Sequence, residues 1–131
     1  MQIFEYRDKV IQQMVMRDFV KLFKALSDET RIRILKVLLE RECCVCEVMQ
    51  ALNISQSRAS RNLGILEDAG FIKSRRDGLW IVYSINGQKM NSYAAPLIEL
   101  LRGSLIDEET LLQDKERLSH AVRTGPRAIT K

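Results

Sequence analysis

The stretches ALNISQSRASRNLGILEDAGFI (51–72) and RRDGLWIVYSI (75–85) carry the clearest signals of the fold. Ser55 is a helix-capping residue type, and the pattern behind it predicts a helix over 56–69 that stops at Gly70. The next residues are rich in β-branched and aromatic types around Asp77-Gly78, a pair typical of hairpin turns. A short helix over 45–52, a tight turn, a second helix and a hairpin together predict a winged helix-turn-helix.

The rest of the chain is predicted to be helical. Apolar residues three and four apart indicate a long helix over 3–26, and Ser27-Asp28-Glu29 then starts a second, strongly apolar helix. Further helices are expected after Ser92 and after Asp107, and residues 123–131 are expected to form a frayed tail. The predicted fold class is therefore mainly α with a small β-hairpin.

The domain organisation follows from these elements. Residues 1–105 are expected to form a winged helix-turn-helix domain for DNA binding and dimerisation, with the recognition helix at about 56–69 and the wing at about 71–85. Residues 106–131 are expected to form a C-terminal helix and a flexible tail.

Composition limits the class of protein. The 131 residues are 46% hydrophobic and 29% charged, which excludes a wholly disordered or collagen-like chain. No apolar run approaches the ~18 residues that span a bilayer, and the start of the chain does not resemble a signal peptide. We therefore expect a cytoplasmic protein without a membrane partner. The net charge of +4 permits nucleic acid as a partner but does not require it.

Polar and basic side chains cluster on the predicted recognition helix and wing. Such side chains can hydrogen-bond base edges or phosphates of double-stranded operator DNA. A merely solvated helix face, or a protein-interaction module, are the alternatives, but a protein-binding face would be more apolar. The candidate DNA-binding residues are Gln56, Ser57, Arg58, Ser60, Arg61, Asn62, Lys73, Arg75 and Arg76.

All three cysteines lie within four positions, at Cys43, Cys44 and Cys46. An odd number packed this closely is not a disulfide framework of a secreted scaffold. Thiolates select thiophilic ions, so the cluster indicates a soft-metal or redox site. The sequence offers no nearby histidine or fourth cysteine that would close a tetrahedral zinc site.

The chain resembles the ArsR/SmtB family of small metal-responsive winged-helix repressors. The resemblance is carried by FKALSDETRIRILKVLLE (23–40), ECCVCEV (42–48) and the two stretches quoted above, about half of the chain. It implies a transcriptional repressor that binds operator DNA as a homodimer, with flanking N- and C-terminal helices at the dimer interface. Apolar stripes at 4–19 and 97–101 are suitable for that interface, although burial within one subunit would also explain them.

The resemblance also implies an inducer. The arsenite-sensing branch of the family carries a Cys-Val-Cys signature at the start of the first helix of the pair, which Cys44-Val45-Cys46 matches. A third cysteine often follows three residues later, where this chain has Met49. Arsenite or antimonite is thus the expected inducer, and Cys44 and Cys46 are its expected ligands. Either Cys43 is a third ligand, or the site uses only two cysteines.

Helix geometry suggests how such an ion would act. On an ideal helix, Cys44 and Cys46 point about 200° apart, whereas Cys43 and Cys46 share a face. We therefore expect binding through Cys44 and Cys46 to distort the first helical turn and shift the recognition helices of a dimer. A redox or persulfide sensor, or a soft divalent metal sensor, of the same fold is the alternative.

An enzyme is not expected. Cys43 to Cys46 has the C-x-x-C spacing of thioredoxin-like proteins, but no parallel strand precedes it. A nucleophilic cysteine would need a histidine base, and the sole histidine, His120, lies near the end of the chain.

Overall fold

The computed structural model describes residues 16–87 and 93–124. Residues 3–15 of the expected first helix, the cap at Ser92 and residues 125–131 of the expected tail lie outside the described residues. The described chain contains the following elements, in order: α1 (described over 16–26), α2 (Glu29–Glu40), β1 (Cys43–Cys44), α3 (Val45–Leu52), α4 (Gln56–Ala69), β2 (Ile72–Asp77), β3 (Trp80–Ile85), α5 (Ala94–Arg102) and α6 (Glu109–His120).

Helices α3 and α4 form the expected helix-turn-helix. Asn53 ends α3 in the left-handed conformation, and its neighbours turn the chain toward α4. The Ser55 side chain accepts a hydrogen bond from the backbone N–H of Arg58, so Ser55 caps α4 as its residue type predicts. Gly70, with φ of +94°, ends α4 directly before the wing.

The wing is a three-stranded antiparallel sheet in the order β1-β3-β2. The hairpin turn lies one residue later than the Asp77-Gly78 pair suggests, since Asp77 pairs with Trp80 and the loop is Gly78-Leu79. Gly78 has φ of +62° at the first central position, which favours glycine. Strand β1 was not predicted, because two residues are too short to show an alternating pattern.

The core lies between α2, α3, α4 and the sheet. Its fully buried members include Ile34 and Leu35 of α2, Val48 of α3, Leu63 of α4 and Phe71 before the wing. This packing fixes the two helices of the helix-turn-helix relative to each other and to the base of the wing. No helix in the described part of the chain has the length and apolar character to cross a membrane.

Helix α6 is attached to this core through a buried carboxylate. Asp114 is 1% exposed and accepts two hydrogen bonds from Arg33 of α2, both at 2.8 Å, and one from Arg117 at 2.7 Å. Arg33 also donates to the carbonyl of Leu52, and Arg117 donates to the carbonyl of Ala51. The C-terminal helix is thus joined to both α2 and the end of α3.

Candidate functional site

The exposed face of α4 carries the candidate readers of DNA. Gln56, Ser57, Ser60 and Arg61 are exposed, and no described residue forms an ion pair with Arg61. Arg58 is exposed as well, but one of its N–H groups donates to Thr30 Oγ1 of α2 at 2.7 Å. Part of this guanidinium therefore serves to hold α4 against α2.

Asn62, one of the predicted DNA-binding residues, lies on the inward side of α4. The residue is buried, its side-chain oxygen accepts from Arg31 at 3.1 Å, and its amide nitrogen donates to the carbonyl of Arg58 at 2.9 Å. Residues three apart share a face of a helix, so Asn62 lies on the same inward face as the buried Ala59. Its amide joins α2 to α4 instead of facing solvent.

The cations of the wing differ in how free they are. Lys73 is exposed and is not paired with any described residue, and the one described partner of Arg76 is the carbonyl of Gly78 at 3.4 Å. Arg75 forms ion pairs with Glu42 and with Asp77. Lys73 and Arg76 are therefore more available to a phosphate than Arg75.

The structure brings Cys44 and Cys46 together, since their sulfur atoms are joined as a disulfide and their Cα atoms lie 5.4 Å apart. Cys44 is the extended residue directly before α3 and also belongs to β1, where it pairs with Val82 of the wing. Cys46 is in the first turn of α3. Both residues are buried. The pair therefore bridges the wing sheet and the first helix of the helix-turn-helix.

This arrangement corrects the geometry expected from an ideal helix. The first turn of α3 was expected to unwind so that Cys44 and Cys46 could approach each other. Because Cys44 precedes the helix and has extended backbone angles, its sulfur reaches that of Cys46 while α3 stays helical from Val45.

Cys43 lies apart from this pair. It is fully buried in the hydrophobic core, pairs with Tyr83 of β3, and its thiol donates to the carbonyl of Arg41 at 3.5 Å. Burial raises the pKa of the Cys43 thiol to about 12. Within the described residues, no group of three or more cysteine, histidine or acidic side chains is arranged to hold a metal ion. A two-sulfur site is what this geometry offers.

A buried glutamate organises the cysteine end of α3. Glu47 is 4% exposed and accepts a hydrogen bond from the backbone N–H of Cys44 at 3.0 Å. Arg41 and Arg123 both form ion pairs with its carboxylate. This interaction caps α3 and compensates the buried charge, so the position of Cys44 is fixed from the helix side.

Sequence reasoning missed the residues after α6. Arg123 and Thr124, expected in a frayed tail, contact α3 and the wing. Gln50 of α3, which was not singled out, bonds both the carbonyl of Cys46 and the backbone of Val122. The one sequence signal for these contacts was the acidic Glu47, which stands next to Cys46 in the first turn of the predicted helix.

The sequence matches a known family of regulatory proteins. The family profile described as "Bacterial regulatory protein, arsR family" matches residues 28–74, from the cap of α2 into the wing. The arsenical resistance operon repressor of Escherichia coli K12 is 38% identical over 81 residues, which cover 61% of this chain and 68% of that protein. The chain belongs to the ArsR family.

Two further relatives are similar to this ArsR-family protein. The cadmium resistance transcriptional regulatory protein CadC homolog of Staphylococcus aureus is 43% identical over 72 residues, 54% of this chain and 60% of that protein. The solved structure of reduced HlyU from Vibrio cholerae has a TM-score of 0.58 at 30% identity and covers 69% of this chain and 90% of that one. The family model describes regulatory proteins, and the Staphylococcus aureus relative is named a transcriptional regulatory protein. The winged helix-turn-helix fold expected from the sequence is confirmed.

Proposed function

We propose that this ArsR-family protein is a transcriptional repressor that leaves its operator DNA when arsenite or antimonite binds Cys44 and Cys46. The observation that carries the proposal is the contact of these two sulfurs between β1 of the wing and the first turn of α3. The relatives named for arsenical and cadmium resistance support a thiophilic inducer.

The binding step requires the reduced pair. Arsenous acid condenses with the two thiols, forming two As–S bonds and releasing two water molecules, and one hydroxyl remains on arsenic. Both sulfurs are then bonded to one arsenic atom, so the loaded site fixes a Cys44–Cys46 separation that the two free thiols do not. Cys43 is not used, because its side chain belongs to the hydrophobic core cluster, whereas strand alternation turns Cys44 to the other face of β1, toward Cys46.

The repressor acts on DNA through α4 and the wing. Gln56, Ser57, Ser60 and Arg61 would enter the major groove, while Lys73 and Arg76 would reach the flanking backbone. A change in the Cys44–Cys46 separation shifts α3 against the wing sheet, and α3 supports α4. Because groove readers must keep their spacing, a small shift weakens binding.

The proposed active form is a homodimer. Helix α1 and the residue before α5 expose aromatic side chains, with the Phe19 and Phe23 rings 4.9 Å apart and the Phe19 and Tyr93 rings 5.1 Å apart. Leu100 of α5 is also largely exposed. Exposed aromatic and aliphatic side chains of this kind are typical of a subunit interface. Phe23→Glu should produce monomers in analytical ultracentrifugation, whereas the remote substitution Glu116→Lys should not.

Operator binding with and without arsenite tests the function. Fluorescence anisotropy would use the reduced protein and the DNA upstream of its own gene. We expect arsenite to weaken binding by the wild type and Cys43→Ser about 5–150-fold, and to leave the Cys44→Ser/Cys46→Ser variant unaffected. Release of the double variant by arsenite would contradict the proposal.

The disulfide favours a second candidate function, in which oxidation is the signal. A peroxide would convert the two thiols into the disulfide and two water molecules. In the same assay, release by hydrogen peroxide with no response to arsenite would assign the thiol pair to redox sensing.

A further inference from the structure

Four residues after α6 lie across both the cysteine end of α3 and the turn of the wing. We call residues 121–124 the C-terminal strap. The side chain of Arg41 donates to the carbonyls of Leu118 and Ala121, which fixes the point where the strap leaves α6. The strap lies outside the stretch that matches the family profile.

The strap binds α3 through two side chains. The Gln50 amide donates to the carbonyl of Val122 at 2.7 Å and accepts from its N–H at 3.1 Å, so both backbone groups are satisfied. The same amide nitrogen lies 2.9 Å from the carbonyl of Cys46. Arg123 reaches Glu47 at 3.4 Å, and Glu47 in turn holds the N–H of Cys44.

The strap binds the wing through its other contacts. Arg123 forms an ion pair with Asp77 at 2.9 Å, and its guanidinium lies 5.8 Å from the centre of the Trp80 ring. The indole N–H of Trp80 donates to the carbonyl of Thr124 at 2.7 Å. Asp77 and Trp80 are the pair that closes the hairpin turn, so the strap holds the wing at its turn.

An isolated two-stranded hairpin is marginally stable, so β2 and β3 depend on contacts with the rest of the domain. The wing is joined to α3 directly through β1, which is only two residues long, and again through the strap. Arg123 of the strap contacts both bodies with one side chain, at Glu47 of α3 and at Asp77 of the wing.

We propose that Arg123 is a positioning residue that transmits the state of the Cys44–Cys46 pair to the wing, an inference that rests on the proposed function. When the two cysteines change their separation, Glu47 and Gln50 move with α3, and the strap carries that movement to Asp77 and Trp80. The wing then changes its angle toward DNA.

Trp80 provides the readout, since it is the only tryptophan in the chain. Its emission would be compared in the full-length protein as the dithiol and as the disulfide formed with hydrogen peroxide. Titration of the denatured protein must show the loss of two thiols. The same samples would be titrated with operator DNA. Arg102→Ala is the matched control, because Arg102 forms an ion pair with Glu99 on the exposed surface of α5, away from the strap.

We expect Trp80 emission to shift between the two forms in the wild type and in Arg102→Ala, and Arg123→Ala to lose more than half of the shift. The affinity ratio of the two forms should fall toward one in Arg123→Ala. No shift in the wild type, or a full shift in Arg123→Ala, would overturn the proposal.

The coupling through Arg123 and the proposed function can be refuted by different results. If emission shifts through Arg123 while neither oxidation nor arsenite changes the operator affinity of the wild type, the coupling stands and the proposed function fails. Asp77→Asn breaks the same ion pair from the wing side, so it should reproduce the loss seen in Arg123→Ala. A wild-type response in Asp77→Asn would also count against the coupling.

Discussion

Arg61 of α4 and Glu47 of α3 lie in opposite environments, although both belong to the helix-turn-helix. On α4, Arg61 is exposed and no described residue pairs with it. At the start of α3, Glu47 is buried and is paired with Arg41 and Arg123. The Arg61 guanidinium is therefore available to a ligand outside the domain. The Glu47 carboxylate instead connects neighbouring parts of the domain through its ion pairs.

This contrast has a mechanical consequence. A free cation on α4 can be lost without moving the fold, so its removal should affect DNA binding alone. Ion pairs at the start of α3 connect this helix with the wing and with the residues after α6. Removal of one of these charges should therefore alter the structure in all three places.

Removal of the buried carboxylate of α6 should cause the largest loss of stability. Asp114→Ala leaves the largely buried Arg33 guanidinium without its carboxylate partner, and we expect a loss of about 3 kcal/mol. Thermal unfolding followed by circular dichroism would measure it. Glu116→Ala on the same helix removes an exposed pair with His120 and should cost less than about 0.5 kcal/mol. Equal losses would show that Asp114 does not anchor α6.

Adjacent residues on α4 sharpen the contrast. Arg61→Ala should weaken operator binding by about 1–3 kcal/mol and leave the free energy of unfolding within about 0.5 kcal/mol of the wild type. Asn62→Ala should instead destabilise the fold by about 1–2 kcal/mol, because it removes the side-chain acceptor of Arg31. Anisotropy and chemical denaturation would be measured on both variants. A stability loss in Arg61→Ala matching that of Asn62→Ala would remove the distinction.

Cations of the wing should contribute more to DNA binding when they form no ion pair within the protein. Lys73→Ala removes a charge that no described residue pairs with, so the slope of log affinity against log salt should fall by about 1 for any DNA sequence. Arg75→Ala should have a smaller effect, since Arg75 must first leave Glu42 and Asp77. Salt titrations of operator binding test this order, and the reverse order would contradict it.

The smallest effect concerns Cys43. Its pKa of about 12 keeps the thiol protonated at neutral pH, so iodoacetamide should modify Cys43 of the native reduced protein only when it unfolds. Because the folded pKa exceeds the ordinary value of 9.0, this group's contribution to stability is complete below pH 9 and is lost as the pH rises toward 12. Mass spectrometry of alkylated protein measures the first point. Rapid native labelling of Cys43 would contradict it.

Much of the fold could be predicted because its signals are local. Ser55, Gly70 and the aromatic strands mark their elements by residue type. Three features could not be predicted in this way. Strand β1 is defined only by its partner β3, Asn62 is polar but faces α2, and Arg123 acquires its role from the wing, 46 residues away.

The cysteine cluster illustrates the same limit. Its spacing indicated a thiol site, but the role of each cysteine depends on where α3 begins. One residue of extended backbone places Cys44 beside Cys46, and strand alternation turns Cys43 into the core. An ideal helix over these residues would instead have placed Cys43 and Cys46 on one face and turned Cys44 away from Cys46.

The number of sulfur atoms bound to arsenic shows whether Cys44 and Cys46 alone form the inducer site at the start of α3. X-ray absorption at the arsenic edge would be measured on arsenite-loaded wild type and on Cys43→Ser. We expect two sulfur ligands and one oxygen ligand in both proteins. Three sulfurs in the wild type that fall to two in Cys43→Ser would contradict it.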